Sequence, residues 1–210
     1  MQQGSQPRWR RRKEARPDEI LAAALASFAE RGFAATRLED VAARAGISKG
    51  TLYLYFKGKE ELFEAVVRAT LLPNIERLEA LAATFEGPSA VLLERFLLTF
   101  AAVVDSRVGA IPKLVIAEAG NFPELARFYL DEVVRRGLRL IGSILRRGIG
   151  HGEFRPIDVD HAVFCVIAPM LLAALWKSSL EPYDHAPLDA QALARAHLDL
   201  LLRSLETHRP

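Results

Sequence analysis

The stretch Thr36-Arg37-Leu38-Glu39-Asp40-Val41-Ala42-Ala43-Arg44-Ala45-Gly46-Ile47-Ser48-Lys49-Gly50-Thr51-Leu52-Tyr53-Leu54-Tyr55-Phe56 decides the fold. Its first four residues match a capping box, in which a Thr hydroxyl and a Glu carboxylate three positions on satisfy each other's orphan amides, so a helix is expected from near Thr36. Leu38, Val41, Ala42 and Ala45 then recur at the spacing of one buried helical face. Gly46 stops that helix, because glycine accepts the left-handed conformation that follows a helix end. Ser48 is a good N-cap for a third, short helix over about Lys49–Phe56. Helix, glycine turn and helix is the unit that lays its second helix in a DNA major groove while the first braces it. The same pattern suits an ordinary hairpin in a helical bundle. The composition of the short helix favours DNA: Lys49, Gly50, Thr51, Tyr53 and Tyr55 combine a cation, an approachable backbone and hydroxyls, and Lys and Tyr side chains commonly donate to phosphates.

Upstream, Pro17 suits a first helical turn, Asp18 and Glu19 oppose its dipole, and Ile20, Leu21, Ala24, Leu25 and Phe28 form an apolar stripe that ends at Gly32. Downstream, a long helix is expected from about Lys59 to Thr84, bent at Pro73 where a hydrogen bond is lost. Further helices are expected at about 89–105, 108–118, 123–149, 158–178 and 187–206, with a loop at Gly150-His151-Gly152. The chain is therefore read as all-α, with about nine helices.

The 210 residues suit one large domain or two small ones, and half of them are apolar, as in a soluble globular protein. The net charge of +2 hides an asymmetry: residues 1–60 hold twelve Lys/Arg against seven Asp/Glu, and the remainder sixteen against nineteen. A basic end on an acidic body points to a polyanion, either nucleic acid or an acidic membrane surface. The single Cys165 excludes an intrachain disulfide and a cysteine zinc cluster and suits the cytoplasm. Residues 1–16 lack the apolar core of a signal peptide. The uncharged run His161–Trp176 is sixteen residues, short of the ~20 that span a bilayer, and reads as a buried helix. Five scattered histidines, with no phosphate-binding glycine loop and no Gly-x-Ser-x-Gly elbow, argue against an enzyme, and neither a cofactor nor a metal is expected. His151 with Glu153 is the nearest approach to a metal pair, and Cys165 reads as a buried, inert thiol.

From Ile20 to Val66 the chain closely resembles the TetR/AcrR family of bacterial transcriptional regulators. The resemblance rests on Phe28-Ala29-Glu30-Arg31-Gly32-Phe33, Thr36, Leu38 to Gly46, Ile47 to Phe56 and Lys59-Glu60-Glu61-Leu62-Phe63, with Gly58 standing where a capping Ser or Asn is frequent. It implies a phosphate anchor at Thr36, Ser48 as the cap of the recognition helix, base-edge proximity for Lys49, Gly50 and Thr51, phosphate contacts from Tyr53 and Tyr55, and a backbone contact from Lys59. The layout it implies is a DNA-binding domain over 17–64 and an effector-binding, dimerising domain over 65–210; the basic arm over 1–16, which precedes the resemblance, is read as flexible from its polar, Arg-rich composition. The arm, Arg8 to Arg16, either follows a minor groove or raises affinity without sequence preference.

Asn121 to Tyr129, then Gly152-Glu153-Phe154-Arg155 and Asp158, are similar to the AcrR-like branch. The last two helices suit a four-helix interface with a second copy, through Phe164, Ile167, Leu171, Leu172, Leu175 and Trp176 on one and Leu193, His197, Leu200 and Leu201 on the other. The aromatics Phe96, Phe100, Phe122, Phe128, Tyr129, Phe164 and Trp176 are expected around an effector cavity, with Glu118 and Asn121 as polar contacts and an apolar or aromatic ligand. The expected function is repression from a palindromic double-stranded DNA operator by a dimer that a small molecule releases, with no role at a membrane. The alternative is an architectural DNA-binding protein that has the same module and senses nothing.

Overall fold

Fifteen residues, Pro17–Arg31, form α1, whose buried face carries Ile20, Ala24 and Phe28. The structure, a computed structural model, describes residues 17–206, so the arm over 1–16 lies outside it. α2 (Leu38–Ala45) buries Leu38, Val41 and Ala42 and ends at Gly46 with φ +70°, the left-handed cap expected there. α3 (Lys49–Tyr55) buries only Leu52, and α4 (Lys59–Thr70) buries Leu62, Phe63, Val66 and Val67. Phe28, Phe33 and Phe63 lock these helices together, with ring centroids 5.4–5.7 Å apart. Each such pair is worth about 0.5–1.5 kcal/mol beyond its area burial.

Where one bent helix was expected over Lys59–Thr84, the chain breaks at Leu71. Pro73 then sits in the first turn of α5 (Leu72–Thr84), where its missing amide costs nothing. α6 (Ser89–Val104), a 3₁₀ turn at Arg107–Ala110 and α7 (Ile111–Glu118) follow. α8 (Pro123–Tyr129) runs through a π turn at Leu130–Val134 into α9 (Arg135–Gly150) as one continuous rod. α10 (Val159–Ser179) and α11 (Ala190–Leu205) complete the body, each started by an Asp cap, Asp158 and Asp189. Counting α4 and α5, which meet at the Leu71 break, as one unit, and the α8–α9 rod as another, leaves nine helices among the described residues, and no strand occurs there.

Two hydrophobic cores result. The first joins α1–α4 to Ile111, Leu114, Val115 and Leu125 of α7 and α8, so the N-terminal module shares its core with part of the body. The second is built from α6, α9, α10 and α11.

α10 is 21 residues long and apolar enough to cross a bilayer, which the sixteen-residue uncharged run had argued against, so length does not decide its role. Packing does. Val163, Val166, Met170, Ala173 and Ala174 are buried against the bundle, and His197 on α11 hydrogen-bonds the Val166 carbonyl at 3.0 Å. The opposite face stays open, with Phe164, Leu172 and the expected-buried Cys165 exposed. α10 is thus covered on one side by its own chain, not on all sides.

Candidate nucleic-acid interface and effector cavity

α3 is short enough that a single buried residue orients it. Leu52 faces the core, and Ser48 caps the helix by accepting from the Thr51 amide at 3.0 Å, while its hydroxyl meets that of Thr51 at 2.8 Å. Tyr53 and Tyr55 are therefore half-exposed, and between them Leu54 is 85% exposed. Leu54 was missed in the sequence reading, although it sits two positions from Leu52 and so about 200° around the helix from the buried side. A Cβ added at Gly50 would meet only Ser48 Oγ, at 3.8 Å, so nothing inside the protein requires glycine there. What its absence leaves is bare backbone on the exposed face.

Lys49 pairs with Glu39 of α2 and lies 5.7 Å from the Tyr53 ring centroid. The shared hydrogen bond raises the lysine pKa and lowers that of the glutamate, so the cation is held at the start of α3. Similar pairs, Arg44 with Glu30 and Arg31 with Asp40, tie α2 to α1. Residues 17–60 hold six Lys/Arg and six Asp/Glu, so the positive surplus of the first sixty residues resides in residues 1–16, outside the described part.

Two expected DNA contacts are turned inward. Thr36 is 2% exposed, and its hydroxyl donates to the Gly32 carbonyl at 2.6 Å and to that of Ser27 at 3.2 Å. It ties the corner between α1 and α2, while the capping box does not form: Arg37 takes the N-cap position of α2 and makes no side-chain cap. Lys59 Nζ donates to the carbonyls of Phe33 and Ala34, at 3.0 and 2.9 Å, and lies over the Phe33 and Phe122 rings at 4.7 and 5.2 Å. Carbonyls left open in the turn after α1 compete for its charge with any outside phosphate.

The same corner claims four residues expected in the cavity. Glu118 Oε1 accepts from the Ala34 amide at 3.1 Å, and its second oxygen takes the Asn121 side-chain amide at 3.2 Å. Phe122 meets Phe33 edge-on at 4.8 Å, and Phe128 stacks under the Arg68 guanidinium at 4.7 Å. Glu118, Asn121, Phe122 and Phe128 thus join the body to the N-terminal module instead of lining a pocket. Trp176, half-buried on α10, also stays out of it.

The cavity, of about 450 Å³, lies on the seam between the two cores, with Leu71 and Val115 from one and Phe96, Val104 and Ala174 from the other in its wall. Phe96, Phe100, Tyr129 and Phe164 are the sequence-expected residues that meet there. Leu130, Val133 and Val134 of the π turn form one side, and π turns inside helices are frequent at functional sites. The wall is almost wholly apolar. Burial raises the pKa of Tyr129, so its hydroxyl stays protonated and able to donate.

Comparison with known proteins fits this architecture. The family described as bacterial regulatory proteins, tetR family, matches residues 20–66, and the tetracyclin repressor-like C-terminal domain matches residues 87–194. The chain belongs to the TetR family. The transcriptional repressor KstR2 of Mycolicibacterium smegmatis is 30% identical over 189 residues, 89% of each chain. The structure of the ketosteroid transcriptional regulator KstR2 of Mycobacterium tuberculosis superposes with a TM-score of 0.74 at 26% identity, over 94% of this chain and 98% of that one. FadR from Bacillus subtilis, solved in complex with stearoyl-CoA, shares the fold with a TM-score of 0.71 at 22% identity, over 91% of this chain and 100% of that one.

In this TetR chain the pair considered for a metal is otherwise engaged. Glu153 accepts from the amide and hydroxyl of Ser89, capping α6, and His151 reaches one of its oxygens at 3.3 Å.

Proposed function

We propose that the chain is a dimeric transcriptional repressor that binds a palindromic operator through α3 and is released when an apolar small molecule enters the cavity between its cores. The observation that carries this reading is the position of the cavity. A ligand that lodges on a seam between two hydrophobic bodies changes how they pack, and one of those bodies holds the helix-turn-helix. Glu118 to Ala34, Lys59 to Phe33 and Ala34, and Phe122 on Phe33 form the rigid joint that carries the change from α7 and α8 to α1. A ligand shifts this equilibrium only by its differential affinity for the two states, and a coupling of ~1–3 kcal/mol corresponds to roughly 5–150-fold in operator affinity.

The open face of α10 and α11 supports the dimer. Phe164 is 57% exposed, Leu172 62% and Leu200 67%, an apolar stripe that a second copy related by a two-fold axis would cover. Two modules about 34–36 Å apart then match successive major grooves. Within each module, Lys49, Gly50, Thr51 and Leu54 would approach base edges, and Ser48, Tyr53 and Tyr55 the phosphates. The stearoyl-CoA held by FadR and the ketosteroid regulator KstR2 are consistent with a largely apolar effector.

The test is selection of a bound sequence from random duplexes, followed by anisotropy titration with and without a panel of apolar ligands. A palindromic consensus, preference for it over random DNA, and release by at least one cavity ligand are expected. Equal affinity for all duplexes that no ligand alters would refute the proposal in favour of an architectural protein.

A further inference from the structure

The cavity does not stand alone. Between α5 and α6 runs a second recess, an open groove of about 630 Å³, and Asn74, Leu78, Thr99 and Val103 line both spaces, two residues from each helix. The gap between these helices is therefore the common boundary of an apolar chamber and an open groove. The groove differs in character, because Arg77 on α5 and Arg95 on α6 face it from its two walls.

Neither arginine has a carboxylate partner among the described residues. Arg77 donates only to the Asn74 side-chain oxygen, at 3.3 Å, and Arg95 lies 5.9 Å from the Phe85 ring centroid. The acids of α5 serve elsewhere: Glu79 is held by Arg136 of α9, whose guanidinium also lies 3.8 Å from Glu76. Both side chains are exposed, so a ligand anion in the groove would meet two guanidinium groups without displacing a carboxylate. At the boundary the hydroxyl of Thr99, and in the chamber wall that of Tyr129, make no hydrogen bond among the described residues and are available to a polar junction in a ligand.

We infer that chamber and groove form one amphipathic site, which takes a ligand with an apolar body and an anionic head held between Arg77 and Arg95. This rests on the reading of the chamber as the effector site. The head is a phosphate group, as in a coenzyme A thioester, or a carboxylate, as in a free fatty acid; both are oxyanions that guanidinium groups bind through paired N–H donors. The apolar body fills the chamber, and the α5–α6 gap is its entry.

The experiment is calorimetric titration of the full chain with dodecanoyl-CoA, dodecanoate, dodecanol and coenzyme A alone, on the wild type, the double variant Arg77→Gln/Arg95→Gln and the conservative Arg77→Lys/Arg95→Lys. The anionic amphiphiles are expected to bind at least tenfold more tightly than dodecanol and more weakly at high salt. The glutamine pair should lose about tenfold or more for the anions while dodecanol binding is unchanged, and the lysine pair, which keeps the charge but loses the paired donors, should fall between the glutamine pair and the wild type. Loss confined to the thioester identifies a phosphate head; loss for dodecanoate as well identifies recognition of any oxyanion. Anion affinity unchanged in the glutamine pair, or dodecanol binding as tightly as the anions, overturns the inference and leaves an apolar effector site standing. Binding of none of the dodecyl compounds overturns both. Unchanged melting temperatures in the variants verify that the two exposed positions carry no folding role.

Discussion

Lys59→Met separates two roles for one side chain, because methionine keeps the apolar stem and removes the charge. In the structure Nζ makes two hydrogen bonds to carbonyls, at 2.9 and 3.0 Å, and lies over two aromatic rings. A hydrogen bond from a charged donor contributes ~1.5–3 kcal/mol when shielded, and each ring contact ~0.5–1 kcal/mol. Lys59 is half-buried, so water competes for the ammonium, and the net loss is discounted to roughly 1.5–2.5 kcal/mol. For a chain of this length, where each kcal/mol shifts Tm by about 2–4 °C, that lowers Tm by roughly 3–10 °C. The assay pairs a thermal melt with anisotropy titrations on duplex DNA across a salt series. The expected outcome is the lower Tm with a salt slope close to that of the wild type. A Tm within ~1 °C of wild type, together with a slope shallower by ~0.9 (the value of one lost phosphate contact), would refute the structural role and restore Lys59 to the DNA interface.

Replacing Leu172 and Leu200 together by aspartate is expected to give monomers in analytical ultracentrifugation with helicity retained; a persistent dimer would show that these faces are not the interface. Leu54→Arg should change the selected operator sequence, because an apolar side chain suits a thymine methyl and arginine a guanine edge, whereas Tyr55→Phe should weaken operator and random duplexes alike. Gly148→Ala should lower Tm by several degrees, since the added Cβ would lie 2.1 Å from the Phe154 ring and overpacking of this kind costs ~1–3 kcal/mol. At the start of α10, the hydrogen bond to Asp158 holds His161 above its ordinary pKa of 6.5 and Asp158 below 3.8. The histidine's contribution to stability is complete below pH 6.5 and is lost as pH rises through the raised value, while that of Asp158 is present above pH 3.8 and is lost as pH falls through the lowered one. His161→Gln should therefore flatten the melting profile above pH 6.5, and a profile unchanged by the substitution would show that the pair contributes nothing.

The module around α3 was readable because its signals are local. Gly46 marks a left-handed turn, Ser48 a cap and Leu52 a buried face, and each depends on neighbours within four residues. Thr36 shows where this reasoning fails: its spacing to Glu39 matched a capping box, but the hydroxyl found the carbonyls of Gly32, just past α1, and of Ser27 within it, and Glu39 found Lys49. The acceptors lie upstream of the box, so no pattern within it reports them. Pro73 failed similarly, since a proline serves a bend or a first turn equally well, and the break at Leu71 chose the latter.

The order of residues was enough to specify an all-helical chain and the helix-turn-helix at its N-terminal end, because periodicity, capping and glycine turns act over a few residues, and the motif match from Ile20 to Val66 carried the family. It was not enough to sort the residues from Glu118 to Tyr129 by role. Glu118, Asn121, Phe122 and Phe128 went to the joint with the N-terminal module, and Tyr129, the residue next to Phe128, went to the cavity. Adjacent helical positions point about 100° apart, so what each meets is set by which distant helix lies on that side. The pairing of Arg77 with Arg95 across the α5–α6 gap is of the same kind: eighteen positions apart in the chain, they face one groove only once the two helices are packed side by side.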